Sequence, residues 1–260
     1  MSKIELPLPY EFLDFKINEA LPRFREEHKE EYDIVFEVIN ILDDIETKFT
    51  GRPDNEQTRY ILSYIVELDK LFQSAVLMFE RGLPRSANII IRTILEVSLN
   101  IVDIIKNEKH IQEKASANAY EVSGSLKIID RYNMYDLFPK QIIQELTNIS
   151  SSISDKNNAE KLKPSRLSNK YGFTFEYLMY KMYCSDTHMS NSALNENIVD
   201  LPEKVIVNKD FNFNDFKQNI FLLVTIVIIS FEILLEDYLR DNELINKYNM
   251  LLNNIENVFK

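Results

Sequence analysis

The residues best suited to chemistry lie in one largely apolar stretch, residues 87–105 (ANIIIRTILEVSLNIVDII). Arg92 and Glu96 are four residues apart, so on a helix both side chains project from the same face. Asn88 lies one turn before this pair and Asn100 one turn after it. The spacing therefore predicts a polar stripe along an otherwise apolar helix.

Two interpretations suit this stripe, because a charge in apolar surroundings is costly unless it is paired or hydrogen-bonded. In the first, Arg92 and Glu96 form an internal ion pair that orients the helices. In the second, Glu96 holds Arg92 so that the planar guanidinium group can bind a phosphate or a carboxylate. The sequence leaves both open.

A second chemical candidate is His188, in the tyrosine-rich segment YKMYCSDTHMS of residues 180–190. A histidine among small polar residues can titrate near neutral pH and act as a general acid or base. Ser190 follows two residues later and can orient the imidazole ring or contact a phosphate. The alternative is a histidine that caps or packs the end of a helix.

A third feature is a local excess of basic residues in a polar segment, residues 150–172. Lys161, Lys163 and Arg166 lie at its centre, in a chain with a formal net charge of −11. We expect a loop that either guides RNA or an acidic partner, or is simply solvated.

The elements that must position these residues are helices. Apolar residues recur at helical spacing in most segments, and Gly82 and Pro84 predict a tight turn between helices at 54–81 and 84–106. Asp54 is the expected N-cap of the first of these helices. The sequence thus predicts a single all-α domain, a bundle of six to nine helices around a long apolar helical hairpin.

Within this single domain of residues 1–260, four parts are expected. They are N-terminal helices (1–53), the central hairpin (54–107), the polar basic loop (150–172) and C-terminal helices (213–260). The uncharged run 220–231 is shorter than the roughly 20 apolar residues of a membrane span, so we expect a buried core helix and no membrane.

Composition excludes several classes of function. The chain has 260 residues but only four glycines, and none are clustered as P-loops, dinucleotide-binding motifs and kinase loops require. A single cysteine excludes an intramolecular disulfide and a multi-cysteine zinc site. We expect no metal, no cofactor and a cytoplasmic location.

The run 71–107 resembles a bacterial helical family of unknown function. Its members carry an Arg-x-x-x-Glu helix after an apolar helical hairpin, and a later tyrosine-rich segment that ends in His-x-Ser. Arg92 and Glu96 match the first motif, and His188 and Ser190 match the second. That family in turn resembles a divergent branch of the HEPN superfamily, helical domains found in toxins and in antiphage systems.

This resemblance implies a metal-independent endoribonuclease that acts as a homodimer. Arg92 would stabilise the phosphate and His188 would act as general acid or base, in a catalytic site that includes Glu96. Independently of the resemblance, Asn88, Ser190 and the basic segment are our candidates for binding RNA phosphates. Active HEPN members place a histidine four to six residues after an arginine. Here that spacing occurs only at Arg23 and His28, in a charged N-terminal helix outside the resembling region.

Two other functions stay open from the sequence. One is a non-catalytic helical module that binds a protein partner, such as an antitoxin, within a defence or toxin–antitoxin system. The other is a sensor that binds an anionic small ligand at Arg92.

Overall fold

The computed structural model describes residues 15–50, 52–152, 154–187, 198–201, 204–207 and 216–260. These ranges are almost entirely helical, as predicted for an all-α bundle. They contain eleven α-helices, more than the six to nine expected: α1 Phe15–Glu27, α2 Lys29–Phe49, α3 Glu56–Glu80, α4 Pro84–Lys106, α5 His110–Arg131, α6 Lys140–Ser151, α7 Lys156–Lys161, α8 Pro164–Tyr171, α9 Thr174–Thr187, α10 Phe216–Ile233 and α11 Asn242–Phe259.

Four smaller elements complete the described chain. A 3₁₀ turn, Tyr135–Leu137, precedes α6, and a π-helical segment, Leu234–Leu239, follows α10. Two short strands, β1 Ile198–Leu201 and β2 Lys204–Val207, pair antiparallel with Ile198 opposite Val207.

The central hairpin forms as the Gly82–Pro84 signal predicts. Gly82 has φ of 65°, a left-handed conformation that costs glycine little, and Pro84 occupies the first turn of α4. The N-cap prediction is wrong by one residue. Asn55, not Asp54, accepts the hydrogen bond from the Thr58 backbone N–H, while Asp54 pairs with Arg59.

Helix α4 is the central helix of the bundle, and its side chains become more buried along its length. Every residue from Val97 to Ile104 is buried, whereas Arg92, Thr93 and Glu96 remain at least partly exposed. Helices α3, α8, α9 and α10 pack against α4. The first half of α4 therefore offers an open polar face, and the second half is enclosed.

Helix α10 and the π-helical segment form the most apolar part of the described chain. Phe216–Leu239 spans 24 residues, and its most apolar 18-residue stretch has a mean hydropathy of 2.2, so the segment is long and apolar enough to cross a membrane. Of its most apolar stretch, 56% is buried inside the protein, because α10 packs against α2, α3, α4 and α11.

The N-terminal helices are held to the bundle by a buried carboxylate at the end of α3. Glu80 accepts hydrogen bonds from the Tyr32 hydroxyl at 2.6 Å and from Arg25 Nε at 2.7 Å. Arg23 and His28, which have the arginine–histidine spacing of active HEPN members, make different contacts within the described residues. Arg23 is exposed and pairs with Glu27, while the His28 ring packs against aromatic rings of α1 and α10.

Candidate functional site

Arg92 and Glu96 form a cluster with a tyrosine from a distant part of the chain. Arg92 Nε lies 3.5 Å from Glu96 Oε1 and donates to the Tyr180 hydroxyl at 3.2 Å. That hydroxyl in turn donates to Glu96 Oε1 at 3.1 Å. The guanidinium carbon lies 5.4 Å from the centre of the Tyr180 ring. The arginine is therefore held by charge, by a shared hydroxyl and by an aromatic face.

Helix α9 supplies the tyrosine because it packs directly against α4. Tyr180 is buried, and its ring stacks on Tyr177 at a centroid distance of 5.7 Å. Arg92 and Glu96 keep 29% and 40% of their side-chain surface exposed. The cluster is thus rigid on its α9 side and open on another, an arrangement that can present an arginine to an anion.

The two asparagines of the stripe lie on the same side of α4. Asn88 is half-buried, and Asn100 is buried with its Nδ2 donating to the Glu96 backbone oxygen at 2.5 Å. The Asn100 Oδ1 is also buried, and it has no hydrogen-bond partner within the described residues. An unpaired buried amide oxygen is costly, so its position next to Glu96 marks a polar site rather than simple packing.

His188 and Ser190 lie outside the described residues. The structure does describe the helix that leads to them. Helix α9 ends at Thr187, about two turns beyond Tyr180 at 3.6 residues per turn.

A second polar cluster lies at the end of α4, and the sequence analysis missed it. Asp103 accepts hydrogen bonds from His110 Nδ1 at 2.6 Å, from Lys170 Nζ at 2.7 Å and from the Tyr171 hydroxyl. Both Asp103 and His110 are fully buried. The only sequence signal was a charge in an apolar helix followed, after a break, by a histidine.

The protonation states of this second cluster follow from its hydrogen bonds. Burial alone would raise the pKa of Asp103, but bonds from His110, Lys170 and Tyr171 outweigh it and lower that pKa. Burial and the bond to Asp103 raise the pKa of Tyr171 to about 12. Asp103 is therefore an acceptor at neutral pH, and His110 Nδ1 carries a proton.

Asparagine and glutamate side chains extend this cluster to the basic segment. Asn107 Nδ2 donates to Glu113 at 2.9 Å, and Lys161 Nζ donates to the same carboxylate at 3.0 Å. These two bonds overcome the effect of burial and lower the pKa of Glu113. His110 Nε2 is buried and has no hydrogen-bond partner within the described residues.

The basic segment is not the loop that its composition predicts. Residues 156–161 and 164–171 are helices α7 and α8, and Asp155 caps α7 by accepting from the Asn157 N–H. Few side chains of these helices are buried, chiefly Leu167 and Ser168, so the apolar pattern was too sparse to indicate a helix. Contacts of Lys170 and Tyr171 with Asp103 anchor the segment to α4 instead.

The basic side chains proposed for RNA binding differ in their surroundings. Lys161 pairs with Glu113, and Lys163 pairs with Glu160 at 2.7 Å. The Arg166 guanidinium makes no hydrogen bond within the described residues and lines an open cleft together with Lys170. Of the three, Arg166 is the most available to an anion.

A further cleft adjoins the first cluster. It lies between α4, α5 and the α7–α8 connection, has a volume of about 470 Å³ and is lined by Glu96 and Asn100. We call it the α4–α5 cleft. In the described ranges, no group of three or more histidine, cysteine, aspartate or glutamate side chains is arranged to hold a metal ion.

Comparison with known proteins gives one match. A family model described as "Family of unknown function (DUF5677)" matches residues 58–205, more than half of the chain. The matched part runs from α3 through α9 and β1, so it includes both polar clusters and the segment around His188. No curated protein and no solved structure matches the chain.

Proposed function

The chain belongs to the family of unknown function DUF5677, and we propose that it is a HEPN-like, metal-independent endoribonuclease whose site is built around Arg92. The observation that carries this proposal is the position of Tyr180. Its hydroxyl bonds to both Arg92 and Glu96, and it belongs to the helix that leads directly to His188.

The geometry of α9 supports a common site for these residues. Tyr180 fixes α9 against the open face of α4, and Thr187 is seven residues further along, about 10 Å at 1.5 Å per residue. His188 and Ser190 follow immediately in sequence. The helix that precedes the His-x-Ser motif therefore contacts the Arg-x-x-x-Glu motif through the Tyr180 side chain.

In the proposed reaction, His188 accepts the proton of an RNA 2′-hydroxyl, and the resulting oxygen attacks the adjacent phosphorus. The bond from phosphorus to the 5′-oxygen breaks, and that oxygen takes up a proton. The products are a 2′,3′-cyclic phosphate and a 5′-hydroxyl. Arg92 stabilises the negative charge that develops on the phosphate oxygens, and Glu96 with Tyr180 keeps the guanidinium oriented.

The decisive experiment is cleavage of a labelled single-stranded RNA by the purified protein in the presence of EDTA. We expect products that end in a cyclic phosphate, and loss of cleavage in Arg92→Ala and in His188→Asn. Arg59→Ala, which removes an exposed arginine at the start of α3, is the matched control and should cleave normally.

Circular dichroism and a melting curve must accompany each variant. Folded Arg92→Ala and His188→Asn proteins that cleave as well as the wild type would refute the proposal. An inactive wild-type protein would favour the protein-binding module instead, and stabilisation by small anions would favour the sensor.

We propose that a second copy of this chain binds at the α5–α6 arm, residues 120–151. Helix α6 has no buried residue, and Ile128, Tyr132 and Leu137 are more than half exposed. The arm has four acidic and three basic residues, a net charge of −1, whereas the whole chain has −11. Two copies can therefore meet here with little charge repulsion.

Sedimentation equilibrium tests this surface. The wild type should be a dimer, and a double variant, Ile128→Asp with Leu137→Asp, should be a folded monomer. A wild-type monomer at high protein concentration would refute the assignment.

A further inference from the structure

We propose that the α4–α5 cleft binds a nucleobase, with the phosphate of the same nucleotide held at Arg92. The inference rests on the proposed function, because it names the part of an RNA substrate that occupies the cleft. Its volume of about 470 Å³ is within the range of small-ligand sites.

One wall of the cleft is a polar stripe on α5. Lys114, Asn118 and Glu121 follow the i, i+4, i+7 spacing that places side chains on one helix face. None of the three side chains makes a hydrogen bond within the described residues. They are available to a ligand, and together they offer donors and acceptors.

The opposite wall comes from α4 and the α7–α8 connection. Glu96 and Asn100 line it from α4, and Lys163 lines it from the connection. Leu99 and Leu167 are buried apolar residues at the same cleft. An amide side chain on each wall and apolar residues at the bottom of the cleft suit a flat ring that carries hydrogen-bonding groups at its edge.

The distribution of charge selects the orientation of the nucleotide. The cleft contains two basic groups, Lys114 and Lys163, and two acidic groups, Glu96 and Glu121, so its formal charge is balanced. A balanced cleft favours an uncharged ring over a phosphate. Another cation, Arg92, adjoins the cleft through Glu96, because its Nε lies 3.5 Å from Glu96 Oε1. Glu96 thus adjoins both the cleft and the phosphate-binding arginine.

Binding to the full-length protein tests the inference without any need for catalysis. Isothermal titration calorimetry would compare the four ribonucleoside 3′-monophosphates with inorganic phosphate. We expect at least one nucleotide to bind about tenfold or more tightly than phosphate, which is the effect of one or two added contacts.

Two variants in the cleft locate the base. Lys114→Met and Asn118→Leu should each weaken binding of that nucleotide about fivefold to tenfold and leave phosphate binding unchanged. Lys70→Met on α3 and Asn253→Leu on α11 are matched controls at exposed positions outside both the cleft and the α5–α6 arm. Arg92→Lys should weaken nucleotide and phosphate alike.

Equal affinity for phosphate and all four nucleotides, or absence of binding, would overturn the inference. So would nucleotide binding that Lys114→Met and Asn118→Leu do not change. The outcome is separable from the ribonuclease proposal. If nucleotide binding depends on Lys114 and Asn118 but the protein cleaves no RNA, only the ribonuclease proposal is refuted. If the protein cleaves RNA but nucleotide binding does not depend on these two residues, only the nucleobase site is refuted.

Discussion

Helix α4 carries two polar clusters that differ in how completely the protein encloses them. In its first half, Arg92 and Glu96 keep 29% and 40% of their side-chain surface exposed. Near its end, Asp103 keeps 1% and its partner His110 none. Both clusters combine a carboxylate, a cation and a tyrosine hydroxyl, so their chemical composition is similar.

The difference lies in the neighbouring elements. Around Asp103, α8 and the start of α5 complete the enclosure, and three donors satisfy the carboxylate. Around Arg92, α9 contacts the polar face through Tyr180, and the arginine side chain keeps 29% of its surface exposed. The closed cluster therefore serves mainly to hold helices together, while the open cluster can meet a ligand. The following predictions test this division.

The largest effect should come from Asp103→Ala. Removing the carboxylate leaves His110 and Lys170 without their partner, and breaking a buried pair costs about 3–5 kcal/mol in the free energy of unfolding. Urea denaturation would measure it. Asp136→Ala, at an exposed position, is the control and should change stability by about 0.5 kcal/mol or less. A loss at Asp103 no larger than that of the control would contradict the closed-cluster assignment.

Arg92→Ala should show the opposite profile. A partly exposed ion pair contributes about 1 kcal/mol or less to stability, whereas loss of a group that stabilises charge in the transition state lowers the rate about 100-fold. Denaturation and RNA cleavage on the same preparation would measure both. Strong destabilisation of this variant would show that the Arg92 cluster is structural after all.

Acidification should destabilise the protein through the closed cluster. The pKa of Asp103 is lowered in the folded state, so its contribution is complete above the unfolded carboxyl pKa of about 3.9 and is lost as pH falls below that value. Unfolding free energies measured from about pH 6, where the contribution is complete, down to about pH 2 would follow the loss. In Asp103→Asn the acid-induced decrease should be smaller; an unchanged pH profile would assign the titration to other carboxylates.

Tyr180→Phe should have a smaller effect, confined to the open cluster. It removes the hydroxyl that contacts Arg92 and Glu96 but keeps the ring that packs under the guanidinium. We expect a decrease in cleavage of roughly tenfold and a loss of about 1 kcal/mol in stability. Tyr177→Phe, which keeps the stacked ring, is the control; equal effects in both variants would remove the special role of the Tyr180 hydroxyl.

The smallest effects should distinguish the basic residues. Arg166→Ala should reduce the salt dependence of RNA binding by about 0.7 in the slope of log K against log salt, the value for one phosphate contact on a single strand. Lys161→Ala should change this slope less, because its ammonium group pairs with Glu113 in the closed cluster. Fluorescence anisotropy at several salt concentrations would measure both slopes, and a larger change at Lys161 would reverse the assignment.

The sequence determined the class of fold and the pattern along α4. Helical periodicity, scarce glycine and the Gly82–Pro84 turn predict the bundle and its central hairpin, because these signals are local. The spacing of Arg92 and Glu96 likewise places both on one helix face. Local signals failed at residues 150–172, where α7 and α8 bury few apolar groups. Helix α8 is held by Asp103 and α7 by Glu113.

Only the tertiary structure decided which charges are enclosed and which stay open. The contact between Tyr180 and Glu96 joins residues that are 84 positions apart, and the contact between Lys170 and Asp103 joins residues that are 67 positions apart. Nothing in local spacing encodes such pairings, because they depend on how α8 and α9 pack against α4. Sequence placed the charges on the helix, and packing determined whether each one is enclosed or stays exposed.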